Sequence, residues 1–251
     1  MRAKILHLAF VSFTFASLAE AGFYIGVEGG YTSGPRIIDP AKLGNSNEIK
    51  FVNSSTTDIK NAFKNQHFSD ANESTTIKPI SGYSVGVDFG SEHLFLGNYL
   101  GFRWGASVGY SDMQTKLTSI NQQYDTADVR ETYSFLDAGV SLDAMVNFYS
   151  SRIFSIGAFG GAELEYHYLL SGKYEDKVFS ETVDLKDLVD SRHSLSLVGR
   201  VGVSTMFADH HRIDFTAKLP IGSIMAGKAS DVKLTQAISR TTLSAGYKFV
   251  F

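Results

Sequence analysis

The chain has 251 residues, 43% hydrophobic and 13% aromatic, with a formal net charge of -3 and no cysteine. Beyond the N-terminus no apolar run reaches the roughly eighteen residues a spanning helix needs, which excludes a helical membrane protein. The lack of cysteine excludes a disulfide framework and thiol chemistry, and the mild, unclustered charge argues against nucleic acid as a partner.

Met1-Arg2-Ala3-Lys4 is a short basic leader, Ile5 to Leu18 is mostly apolar, and Ala19-Glu20-Ala21 is an A-x-A cleavage site. In that order they read as a secretory signal peptide, residues 1–21. The mature chain is then expected to start at Gly22 and to form a single domain, residues 22–251. An exported chain without a spanning helix enters a membrane only as a closed β-barrel.

Eight segments alternate with a period of two, the mark of a strand. The first, Phe23 to Tyr31, sets Phe23, Ile25, Val27 and Tyr31 against Tyr24, Gly26, Glu28 and Gly30. The second, Ile80 to Gly90, sets Tyr83, Val85, Val87 and Phe89 against Gly82, Ser84, Gly86 and Asp88. The third is Tyr99 to Ser111, with Phe102, Trp104, Val108 and Tyr110 opposite Arg103, Ser107 and glycines. The fourth, about Thr132 to Phe148, opposes Leu136, Val140, Leu142 and Val146 to Asp137, Ser141, Asp143 and Asn147. The fifth, Ile153 to Tyr168, opposes Ile156, Leu164, Tyr166 and Tyr168 to Phe159, Glu163, Glu165 and His167. The sixth, Ser194 to Phe207, carries Arg200 on its polar face. The seventh, Arg212 to Ile221, carries Asp214, Thr216 and Lys218 there, and the eighth, about Ser239 to Phe251, carries Lys248. Strands of this length span a membrane when tilted, and eight close the smallest common barrel. The expected fold is all-β: an eight-stranded antiparallel up-and-down transmembrane β-barrel with long outer loops.

The connections differ in length. Ser91 to Asn98 is a modest link, and Tyr149 to Arg152 and Ala208 to His211 are short, whereas 32–79, 112–131, 169–193 and 222–238 are long. Short periplasmic turns and long outer loops are the rule for such barrels, which puts both termini on the periplasmic side. All four prolines, Pro35, Pro40, Pro79 and Pro220, are expected outside strand interiors, where a missing N–H does no harm. In the first long loop Asp58 to Phe68 has a short helical pattern. In the third, Val178 to Val189 fits either a short helix or an extended hairpin. Asn53 and Asn72 head N-x-[ST] triplets, without the expectation of glycosylation in a bacterial outer membrane. The loops are either solvated surface or the seat of a host or surface ligand, with 32–79 the foremost candidate.

The two faces decide what lies outside. One is continuous, apolar and nearly free of charge; the other carries glycine, serine and eleven charges: Glu28, Asp88, Asp137, Asp143, Glu163, Glu165 and Asp214 with Arg103, Arg200, Lys218 and Lys248. Turning basic residues towards lipid would cost about 2–4 kcal/mol each near the midplane. The apolar face is therefore expected against lipid and the charged face in a narrow lumen. There the charges must be paired or hydrated: Arg103 and Lys248 with the lowest carboxylates, Arg200 with Glu28 or Glu163. A structural plug of ion pairs and an ion path gated by their rearrangement both fit this pattern.

No catalytic, cofactor or metal site stands out. Arg192-His193-Ser194-Leu195-Ser196 has leucine where a lipid A deacylase would have its serine, and no acid follows until Asp209. His167, Ser171 and Glu175 have nothing to fix their geometry. His210 and His211, adjacent in extended chain, would point to opposite sides of a solvated turn. No helix precedes the first strand, as a palmitoyltransferase would require, and ten strands, as in an omptin-like protease, are not found. No G-x-x-x-x-G-K-[ST] occurs.

The last strand ends Leu243-Ser-Ala-Gly-Tyr247-Lys-Phe249-Val-Phe251. Leu243, Tyr247, Phe249 and the terminal Phe251 resemble the C-terminal assembly signal of Gram-negative outer-membrane proteins, which implies the barrel-assembly machinery and outer-membrane lipid as partners. With the leader and eight strands, this tail makes the chain resemble small outer-membrane barrels of the OmpA-transmembrane, OmpX and opacity type. Gly22-Phe-Tyr-Ile-Gly-Val-Glu-Gly-Gly-Tyr31 and Leu100-Gly-Phe-Arg-Trp-Gly105 are also similar to Helicobacter-type outer-membrane proteins. The resemblance implies a non-enzymatic integral protein of the outer membrane, structural or narrow-pored, with displayed loops. Adhesion is the alternative, and a lipid A-modifying enzyme a further one.

Overall fold

The computed structural model describes residues 22–34, 50–53, 66–70, 73–77, 80–121, 127–151, 153–176, 181–184, 192–225 and 240–251. The leader and its cleavage site, Pro35, Pro40, Pro79, Asn72 and the segments 58–65, 178–180 and 185–189 lie outside the described residues.

Twelve strands occur among the described residues: β1 (Gly22–Gly34), β2 (Lys50–Asn53), β3 (Gln66–Asp70), β4 (Glu73–Ile77), β5 (Ile80–Phe95), β6 (Leu100–Asn121), β7 (Ala127–Ser150), β8 (Phe154–Asp176), β9 (Glu181–Asp184), β10 (His193–Phe207), β11 (His211–Met225) and β12 (Thr241–Val250). Eight of them form the wall in the antiparallel order β1, β5, β6, β7, β8, β10, β11, β12. β12 returns to β1 from Tyr24↔Val250 to Ser33↔Thr241, and Phe251 N donates to Phe23 O at 2.8 Å. The ring is closed, so its backbone groups pair within the wall and no edge meets lipid. This is an eight-stranded antiparallel β-barrel.

Burial is inverted relative to a water-soluble protein. On β7, Leu142 is 61% exposed while its neighbour Asp143 is 1% exposed. On β1, Val27 is 56% exposed. Phe23, Phe95, Tyr99, Tyr149, Phe207 and Phe251 ring the outer wall at its short-turn end, and Tyr31 and Tyr83, paired in register, stand at the other. Phe23 to Tyr31, at a strand rise of about 3.3 Å and a tilt near 40°, rises about 20 Å along the barrel, close to the height of a barrel's apolar band.

Three tight turns close one end. Residues 96–99 form the first, where Leu96, Gly97 and Asn98 all have positive φ (54°, 70°, 69°) and Asn147 Nδ2 donates to Asn98 O at 2.5 Å. Ser151 N donates to Phe154 O at 2.9 Å in the second. Ala208 and Asp209, with φ of 49° and 61°, shape the third.

The strands outrun the sequence pattern. β5 continues through Ser91 and Glu92, paired with Phe23 and Gly22, where a link from Ser91 was expected. β6 and β7 pair up to Ser119↔Ala127 and β7 with β8 up to Val129↔Asp176, through segments expected as loops. Beyond the apolar band both faces can be polar, so alternation fades while the backbone ladder persists. β4 extends this wall on β6, β3 pairs with β4, β9 with β8, and β2 with β11. Gln66 to Phe68, the end of the expected helical pattern, is therefore strand, and Glu181–Asp184 is the extended alternative for its loop. Pro220 lies inside β11, contrary to expectation. It pairs with Val198 at a register shift that leaves Ile221 unopposed, and such a bulge removes the need for the missing N–H.

Candidate functional site: the ionic lumen

The inward positions of the wall bring opposite charges into one connected chain. At the short-turn end Arg212 meets Glu92 at 2.7 Å and donates to Ser204 Oγ at 2.6 Å. Above it Lys248 contacts Asp88 at 3.1 Å and Asp214 at 2.6 Å. Asp214 also accepts from Arg103 at 2.8 Å, and Arg103 reaches Asp143 at 3.1 Å. Arg200 links Asp143 (3.4 Å) to Glu163 (2.9 Å). Lys218 then joins Glu163 at 3.0 Å, Glu165 at 3.0 Å and Glu28 at 3.3 Å. His167 lies 3.7 Å from Glu165 and 2.7 Å from Asp137, and Arg240 holds Asp137 at 2.9 Å. All eleven charges singled out from the sequence take part.

Register explains how such long side chains fit a narrow bore. Gly26 of β1 stands between Asp88 of β5 and Lys248 of β12, and Gly161 of β8 between Asp143 of β7 and Arg200 of β10. A Cβ on Gly26 would fall 2.5 Å from Asp88 Oδ1, and one on Gly161 2.6 Å from Asp143 Oδ1. The inward glycines are the space into which neighbouring charges fold. Aromatics complete the packing: the Arg103 guanidinium lies 4.6 Å from the Phe159 ring centre and Lys248 Nζ 5.5 Å from that of Tyr24. Such contacts favour a cation over the ring face. Towards the long-loop end a cavity of about 40 Å³ remains, bounded by Glu28, Asp137, Glu163, Glu165, Lys218 and Arg240. That is room for about one or two waters.

Four members of the chain were not among the expected residues: Glu92, Arg212, Arg240 and His167. Each has the parity of an expected inward residue on its own strand, namely Asp88, Asp214, Lys248 and Glu165. Counting in twos past the assumed strand ends finds them.

The other histidines are placed differently from expectation. His167 turns into the lumen and is fixed by Asp137, with no printed partner in Ser171 or Glu175; Glu175 pairs in register with Arg130. His210 and His211 do not diverge, because His210 belongs to a turn with two preceding positive-φ residues rather than to extended chain. Both grip the last strand. The His210 ring stacks on Phe249 (5.6 Å, 16°) with Nδ1 2.8 Å from Val250 O, and His211 Nδ1 lies 2.7 Å from Tyr247 Oη. Of the tail residues, Leu243, Tyr247 and Phe251 are exposed on the outer wall.

A closed antiparallel ring with hydrocarbon side chains outside and an ionic interior is the architecture of an outer-membrane β-barrel. The model of the Helicobacter outer membrane protein family matches residues 86–251, and the chain belongs to that family. No curated protein matches it significantly. Among solved structures it is similar to the outer membrane protein OprG of Pseudomonas aeruginosa, with 13% identity over 92% of this chain and 97% of that one and a TM-score of 0.37. It is similar also to Ail of Yersinia pestis, crystallised with the heparin analogue sucrose octasulfate (13% identity, 91% and 99% covered, TM-score 0.32). LpxR of Salmonella typhimurium follows at 8% identity, 92% and 100% covered, with a TM-score of 0.23. These likenesses are too distant to carry an argument about activity.

Proposed function

We propose that the protein is a non-enzymatic scaffold of the outer membrane, a barrel whose lumen is a polar plug and whose long loops are held away from the cell. The observation that carries this reading is Arg103. It lies across the bore between Asp143 and Asp214 with its face on Phe159, so the interior at that level is filled by side chains. A plug rather than a path predicts that purified, refolded protein gives no stable current in planar bilayers. Steady single-channel steps would sink the plug and favour the narrow-pore reading.

In this reading residues 1–21 are a cleaved leader and the tight turns and both termini face the periplasm. The aromatic tail is read by the barrel-assembly machinery. A second role, contact with a host or surface ligand, is favoured by the ordering of β2, β3 and β4 within 32–79, where β4 continues the wall on β6. Deleting 35–78 should leave a folded barrel and abolish any such binding. Binding that survives the deletion would exclude this loop.

A further inference from the structure

Above the apolar band, on the outer side of the wall, three basic residues stand on three adjacent strands. Lys116 of β6, Arg130 of β7 and Lys173 of β8 are exposed, while their neighbours Thr115, Glu131 and Gly172 are buried, so all three point away from the lumen. Lys116 and Arg130 are directly opposed in register, and Lys173 is opposed to Thr132, one outward step from Arg130. Beneath Lys173 the bulged Leu170 is 43% exposed, so charge follows directly on apolar wall.

Two like charges directly opposite in a sheet repel unless something between them supplies the opposite sign. Glu175 faces Arg130 from β8, and Asp112, lower on the same face, accepts from Tyr110 Oη (3.2 Å) and Ser134 Oγ (2.9 Å). Arg130 donates to Gln114. An excess of positive charge is left. Among the described residues, outward-facing strand positions carry Lys or Arg only here, at the long-loop end, and none at the tight-turn end.

We propose that Lys116, Arg130 and Lys173 form a lateral site for the phosphate groups of an anionic lipid in the leaflet on the long-loop side. The lipid's chains would pack against Leu170 and Leu136 and its phosphates would bridge the opposed cations. Guanidinium and ammonium groups suit phosphate oxygens as charge-assisted donors. The site is leaflet-specific because the tight-turn end offers no matching cations among the described residues.

The test is a titration of the purified protein, in micelles of an uncharged detergent, with diphosphorylated lipid A, dephosphorylated lipid A or inorganic phosphate, read by native mass spectrometry. The diphosphorylated lipid should bind. Each of Lys116→Gln, Arg130→Gln and Lys173→Gln should weaken it about fivefold and the triple change about a hundredfold, from the roughly 1 kcal/mol each basic residue contributes near an anionic surface. The single variants, checked for folded mobility on unheated gels, guard against failure of the triple variant to fold. Equal binding of the dephosphorylated lipid would reduce the patch to apolar contact. Unchanged affinity in folded variants would overturn the site, and inorganic phosphate binding as tightly would refute the lipid.

Discussion

Asp88 and Lys248 sit on strands separated by β1, yet form a 3.1 Å ion pair, because the residue between them in register is Gly26. The pair passes over a position with no side chain. A methyl there would meet Asp88 Oδ1 at 2.5 Å and the Tyr247 carbonyl at 2.7 Å. Gly26→Ala is expected to destabilise the barrel by about 1–3 kcal/mol, the usual cost of overpacking. Gly29→Ala, on the outer face with its nearest atom at 3.8 Å, should be nearly neutral. Urea unfolding in lipid vesicles measures both.

Arg103 is the second pressure point. Removing it as Arg103→Met leaves Asp143 and Asp214 buried with one cation each, Arg200 and Lys248. The expected loss is about 3–5 kcal/mol. Adding Asp143→Asn should recover part of it, and a double-mutant cycle on unfolding free energies will show the coupling.

How far this interior could be read from sequence depends on what sets it. Inward identity follows from parity alone, so the eleven charges on the polar face could be named. Partners depend on register between strands distant in sequence, which fixes that Gly26 lies between Asp88 and Lys248 and that Arg200 reaches Asp143 as well as Glu163. The ends were hidden for a different reason: past Gly90 and before Thr241 the apolar alternation stops, and with it the signal that would have included Glu92 and Arg240. The turn geometry that brings His210 onto Phe249 rests on positive φ at Ala208 and Asp209, and neither residue advertises it.

The outer face should be as intolerant of charge as the lumen is of its loss. Leu142, midway along the outward face of β7, is 61% exposed to the surroundings of the barrel. Leu142→Arg is expected to cost about 2–4 kcal/mol in a bilayer. A penalty much smaller in micelles than in vesicles, in paired unfolding measurements, is the expected signature of hydrocarbon contact.

The grip of the third turn on the last strand gives a local prediction. His210→Ala removes a ring stacked on Phe249 and the contact with Val250 O. It should cost about 1 kcal/mol, the net worth of a hydrogen bond. Hydrogen exchange should rise at Val250 and Phe251 and stay unchanged on β6 and β7. Uniform acceleration around the ring would show that the turn has no such local role.

The central claim is that hydrocarbon surrounds this wall and the ionisable groups are enclosed. The chain has no cysteine, so single ones can be introduced for spin labelling: Leu142→Cys and Phe215→Cys on the outer face, Ser107→Cys and Ser141→Cys within. In lipid bilayers, labels at 142 and 215 should be relaxed strongly by oxygen and weakly by a water-soluble nickel complex, and those at 107 and 141 should be shielded from oxygen. The reverse pattern, with nickel reaching 142 and 215, would contradict the account.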